Sequence, residues 1–172
     1  MDYIAHGFWS YIVFNRIKKP LYAVLFGLLP DTASWGIIFI YLVYIRLSTG
    51  ILELDDFYPW MAWLYGLSHS LFVAIITILT VFITASITKK DLPLYMLAWP
   101  LHILIDIPTH EKDFFPTPFL WPVSDWTFSG ISWGTSYFMI ANYTLITLIL
   151  FGIIYYKKGL SKKPKPAQVP SD

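Results

Sequence analysis

The chain has 172 residues, no cysteine and a net charge of +1, with 56% hydrophobic and only 13% charged residues. A water-soluble domain carries about 25% charged residues, so most of this surface does not face water. Without cysteine there are no disulfides and no thiolate metal sites, which leaves His, Asp and Glu as ligands. The net charge says little about partners because the charges are segregated along the chain, and no nucleic-acid partner is expected.

Tyr3 to Asn15 is apolar and aromatic but only about half a bilayer long at about 1.5 Å per residue. It holds His6 and ends in Arg16, Lys18 and Lys19, closed by Pro20. No basic segment precedes it and no small-residue cleavage site follows, so no removable signal peptide is expected. Leu21 to Leu47 is long enough to span, with Asp31 its only charge before Arg46. Pro30 removes a backbone donor there and disfavours helix at Leu29, predicting a break.

The connection 48–58 is polar and acidic, with Glu53, Asp55 and Asp56. Pro59 to Ser86 reads as an uninterrupted apolar span holding His69, ended by Lys89 and Lys90. Leu92 to Thr109 is the fourth apolar segment. It contains WPLHILIDIPTH (Trp99 to His110), which places His102, Asp106 and His110 at four-residue intervals, along one helical face. Pro108 is expected to end that helix near Ile107 and leave His110 on a turn.

Glu111 to Ser132 is rich in Pro, Trp, Phe and Asp and reads as an irregular interfacial loop, in which Trp121 and Trp126 are candidates to cover the site's mouth. Trp133 to Tyr156 is a final span without charge. The expected architecture is all-α, a polytopic helical membrane protein with three to four full spans and a short N-terminal half-span. Residues 1–158 form one integral-membrane domain, and 159–172 form a basic, Pro-rich, disordered cytoplasmic tail.

If the apolar segments alternate, the basic groups fall on one side and the acidic stretches on the other, Arg46 excepted. The positive-inside rule then makes the C-terminus cytoplasmic, in a cell membrane. Counted at the helical rise, Asp31 lies about 16 Å from Pro20, and His102 about 15 Å from Leu92. His69 lies about 15 Å below Pro59, and His6 about 15 Å above Arg16. Four segments thus bring a ligand-type residue to about the midplane of a ~30 Å core, with Asp106 and His110 one and two turns further out.

Each residue also has a plainer role. His102 and Asp106 would form a structural hydrogen bond, with His110 an interfacial histidine. Asp31 would cap a helix starting at Thr32, and His69 would bond a neighbouring helix. Ionisable groups inside spans are usually functional, and His6, Asp31, His69, His102, Asp106 and His110 are together read as metal ligands. Imidazole and carboxylate suit Zn²⁺ best, with Mn²⁺ or Fe²⁺ also compatible. Six candidates exceed the four of a closed structural zinc site, enough for one or two ions.

LLPD (Leu28 to Asp31), GLSHSL (Gly66 to Leu71), and HILIDIPTH followed by FPTPFLWP (Phe115 to Pro122) resemble the motifs of the membrane-bound metal-dependent hydrolase family. More distantly, the order His, PD, His, HxxxD is similar to bacterial zinc-dependent phospholipase C. The resemblance implies metal ligands at His6, Asp31, His69, His102 and Asp106, with His110 a sixth. The chain departs from the pattern at Leu64 and Tyr65, where the family commonly has His-Arg, and at Ala33, where it often has a second Asp. Together these readings predict a membrane hydrolase whose metal-activated water attacks an ester or phosphodiester of a lipid or lipid-linked substrate, with Asp106 and His102 central to catalysis. The competing reading is a transporter or channel for protons or divalent metal, built on the same cluster.

Overall fold

A computed structural model describes residues 1–50, 58–113 and 115–161, without the side chains of 160 and 161. The expected acidic connection with Glu53, Asp55 and Asp56, and the tail beyond Ser161, lie outside the described residues. The described residues are helical or irregular, with no strand.

The first hairpin pairs α1 (Tyr3–Phe14) with α2 (Pro20–Asp31). Asp2 caps α1 by accepting the Ala5 N–H at 3.0 Å, and Pro20 starts α2 where a missing N–H costs nothing. The helices meet through small residues: a Cβ on Gly27 would lie 1.8 Å from Ser10 Oγ, and one on Gly7 would lie 3.4 Å from Leu28. Such close approach drives helix association where lipid provides no hydrophobic contrast.

The break expected at Pro30 takes a milder form. The helix runs on through Pro30 into a π-helical turn (Thr32–Gly36) and then α3 (Ile37–Thr49). Thr32 Oγ1 donates to Leu28 O and Ser34 Oγ to Pro30 O, both at 2.8 Å, which gives the widened turn local partners. Asp31 makes no capping hydrogen bond, so its plainer role is not the one observed.

The segment expected to be uninterrupted from Pro59 to Ser86 is broken. α4 (Pro59–Ser68) and α5 (Leu71–Ile87) meet at 52°, with His69 and Ser70 between them. Several of the groups at the break find partners in the protein. Ser70 Oγ accepts the Val73 N–H and donates to Trp121 O, Leu71 N donates to Phe119 O, and the Trp99 indole N–H donates to Ser68 O at 2.7 Å. Irregular backbone at membrane depth is tolerated when buried in protein in this way.

A 3₁₀ turn (Leu94–Leu97) leads into α6 (Ala98–Thr109), which passes through Pro108 and ends at Thr109, two residues beyond the expected stop, with His110 as its C-cap. Its last carbonyls are taken by the following loop: Gly130 N bonds His110 O, Ile131 N bonds Pro108 O, and Trp133 N bonds Thr109 O. A Cβ on Gly130 would sit 2.2 Å from Pro108 O, so only glycine fits there. α7 (Ser136–Ser161) packs on α1 through Trp9 Nε1–H to Asn142 Oδ1 and Tyr143 O–H to Asp2 Oδ1.

Two helices are long and apolar enough to cross a bilayer, Pro20–Thr49 and Ser136–Gly159, and a third counts if α4 and α5 form one broken span. Leu94–Thr109 is shorter, so the described residues support two or three spans of the three to four expected. Polarity is inverted relative to a soluble protein. His6, Ser34, His69, Ser70, His102 and Asp106 are buried, whereas Phe39, Ile40, Leu47, Leu148 and Phe151 are exposed, a distribution suited to a lipid surround.

Candidate metal centre

Three segments converge on one point. The π turn leaves Asp31 facing inward at the end of α2, the α4–α5 break presents His69, and α6 contributes His102 and Asp106 from successive turns. One ligand atom from each of Asp31, His69, His102 and Asp106 lies within 4.8 Å of the other three. His69 Nε2 is 3.3 Å from His102 Nε2 and 3.4 Å from Asp31 Oδ1. Asp106 Oδ2 is 3.1 Å from His102 Nε2 and 3.7 Å from His69 Nε2, and His102 Nε2 is 3.8 Å from Asp31 Oδ1.

The tautomers follow from the outer nitrogens. His102 Nδ1 lies 2.7 Å from Gly27 O, and a carbonyl only accepts, so Nδ1 carries the proton. His69 Nδ1 lies 2.8 Å from Ser68 Oγ, whose own proton goes to Tyr65 O at 3.2 Å, so this Nδ1 also donates. His110 Nδ1 donates to Phe115 O at 2.9 Å. Three histidines are thus turned with Nε2 inward, the way outer partners orient metal-binding imidazoles.

These donors fit a cation. The Nε2 lone pairs of His69 and His102 face each other across 3.3 Å, with two carboxylates beside them. That arrangement is repulsive for neutral imidazoles unless a positive charge sits between them. A tetrahedral ion with bonds of about 2.0–2.2 Å holds its ligand atoms about 3.3–3.6 Å apart, close to the observed separations. The group is a site that can bind a metal ion.

His6 and His110 stand on the other side of Asp106. His6 Nε2 is 2.9 Å and His110 Nε2 is 3.5 Å from Oδ1, the oxygen turned away from the four-donor group. The Met1 amine bonds the same oxygen and lies 3.1 Å from His110 Nε2. His6 stacks on His102 with ring centroids 3.6 Å apart, and its Nδ1 has no hydrogen-bond partner among the described residues. The six sequence candidates therefore meet, but as a four-donor group that includes Asp106 Oδ2 and two imidazoles against Asp106 Oδ1.

A cavity of about 530 Å³ opens beside the cluster. Asp31 and His110 line it, together with Tyr3, Trp35, Phe115 and Trp133. Trp121 instead packs against Gly66 behind α4, and Trp126 contacts Phe119, so neither tryptophan expected at the mouth is there. Sequence reasoning missed Gly27 and Phe115 as carbonyl acceptors, and Trp35 as cavity wall. Only Ser68, beside its histidine in the sequence, carried a local signal.

Fold and site together define a class: a helical protein with helices able to cross a membrane and a buried His/Asp group able to bind a metal ion. No family model, curated protein or solved structure matches the chain.

Proposed function

We propose that the protein is an integral-membrane, metal-dependent hydrolase acting on an ester or phosphodiester of a lipid or lipid-linked substrate. The observation that carries this reading is the four-donor group of Asp31, His69, His102 and Asp106, whose member Asp31 lines an aromatic-walled cavity. A Zn²⁺ ion held by those four residues supplies Lewis acidity and lowers the pKa of water.

The chain's own residues do the rest. His110 reaches the cavity with Nδ1 tied to Phe115 O and Nε2 beside the Met1 amine. It is placed to take a proton from the attacking water and return it to the leaving oxygen. His6 donates Nε2–H to Asp106 Oδ1, which turns Oδ2 to the cluster. Tyr3, Trp35, Phe115 and Trp133 receive an apolar chain and exclude water. The family resemblance of the LLPD, GLSHSL and HILID segments points the same way.

Orientation belongs to the same proposal. Lys18 bonds Asp91 at 2.9 Å, and Lys157 Nζ reaches Asn15 O at 3.3 Å, so the basic groups gather at one end. By the positive-inside rule this end, with the C-terminus, faces the cytoplasm, and the cavity opens toward the outer half of the bilayer. A relay for protons or metal fits less well, because the cavity at the basic end includes none of the cluster residues.

The deciding experiment is elemental analysis of detergent-purified protein beside a His102→Ala/Asp106→Ala variant, with hydrolysis of lipid esters measured in parallel. Stoichiometric metal and lipid hydrolysis, both lost in the variant, are expected. Metal absent from both proteins ends the hydrolase reading, and hydrolysis of soluble phosphodiesters without any lipid substrate ends the lipid assignment.

A further inference from the structure

The basic end holds a second cavity, of about 620 Å³, bounded by Arg16, Lys18 and Lys19 from the α1–α2 turn and by Asp91, Pro93 and Tyr95 from the segment after α5. Along α2 it lies about 16 Å from Asp31, counting from Pro20. It is therefore separate from the candidate metal centre.

Three cations and one carboxylate line this cavity, and two of the cations are held by aromatic faces. Arg16 Cζ lies 5.6 Å over the Tyr156 ring, and Lys19 Nζ lies 5.3 Å over that of Tyr22. Cation–π contact fixes a charged head while leaving its N–H groups able to donate. Lys18 alone of the three is ion-paired among the described residues, to Asp91. That hydrogen bond raises the Lys18 amine and lowers the Asp91 carboxyl from their usual ranges. Both side chains are about 85% exposed, so water screens the pair and it exchanges readily.

The apolar surroundings identify what the cations meet. Tyr95 packs on Tyr22 and Phe26 at 5.3 and 5.4 Å, and Leu21, Leu92 and Leu94 beside the cavity are exposed. Cations above exposed leucines, at the end of helices able to cross a bilayer, match the headgroup level, where basic pockets between helices bind anionic lipids.

We propose that this cavity binds the phosphate of an anionic phospholipid headgroup, with Arg16 and Lys19 as donors and Lys18 joining them when it leaves Asp91. Free inorganic phosphate shares the chemistry but has no use for the leucine rim.

The test is binding and thermal stabilisation of the detergent-purified full chain by phosphatidylglycerol, phosphatidylcholine or inorganic phosphate. Phosphatidylglycerol should bind and raise the melting temperature, the other two should not, and Arg16→Gln/Lys19→Gln should lose about tenfold or more in affinity. Asp91→Asn should bind severalfold more tightly, which keeps the proposal testable if the double variant folds poorly. Lys89→Gln/Lys90→Gln removes equal charge from the same end outside the cavity and should change affinity less than about twofold. Lipid binding should be the same with and without a metal chelator, which separates this site from the metal centre. Equal loss in the Lys89/Lys90 pair, equal binding of phosphatidylcholine, or binding of inorganic phosphate alone overturns the proposal.

Discussion

The hydroxyl of Ser68 stands 2.8 Å from Nδ1 of its neighbour His69 and passes its own proton to Tyr65 O. One serine thereby decides which nitrogen of a buried histidine is free for a metal. Ser68→Ala leaves that imidazole free to adopt the other tautomer. Metal affinity, measured by competition with a chromogenic chelator, should fall about 10–100-fold while the helical fold persists. Unchanged affinity would show that the hydroxyl does not set the tautomer.

Gly27 has two tasks, as the closest approach of α2 to α1 and as the carbonyl that orients His102. Gly27→Ala puts a methyl group 1.8 Å from Ser10 Oγ and 2.7 Å from Ser10 Cβ. Overpacking of this kind costs about 1–3 kcal/mol, to be read as a lower melting temperature. Adding Ser10→Gly should restore most of the loss, and failure of that rescue would place the strain elsewhere.

Removal of metal is expected to destabilise the native state. A ligand at 100 times its dissociation constant contributes about 2.7 kcal/mol, so chelation should lower the melting temperature and added Zn²⁺ should restore it. In His69→Ala both responses should vanish. A melting temperature indifferent to chelation in the parent protein would rule out metal binding at this cluster.

His110 sits outside the four-donor group and faces the cavity. His110→Ala should retain metal within about twofold yet lose about 10²–10⁴-fold in turnover, with the pH profile of kcat altered. Loss of metal in proportion to activity would make it a ligand instead.

Much of this site was legible in the sequence because its determinants are periodic. The four-residue step from His102 to Asp106 needs only the helical repeat, and the matched depths of His6, Asp31, His69 and His102 need only the rise per residue. What escaped notice depends on distant partners. Ser68, His69 and Ser70 interrupt an apolar run whose composition says helix, and the break is sustained by Phe119, Trp121 and Trp99. Pro30 predicts a break by its local chemistry, but the chain continues into a π turn without ending the helix. His110 passes the Pro108 obstacle because a loop residue, Phe115, supplies the carbonyl that aims it. The division of six candidates between two oxygens of one carboxylate has no counterpart in residue spacing.

Main-chain carbonyls at Gly27 and Phe115 aim His102 and His110, whereas a side-chain hydroxyl aims His69. No substitution deletes a carbonyl. In genetic terms the orientation of two histidines is therefore shielded from direct mutation and is lost only when the backbone itself moves. The third hangs on a single codon. A complete mutational scan should consequently find few changes at Phe115 that act through His110, and a sharp, composition-specific intolerance at Ser68.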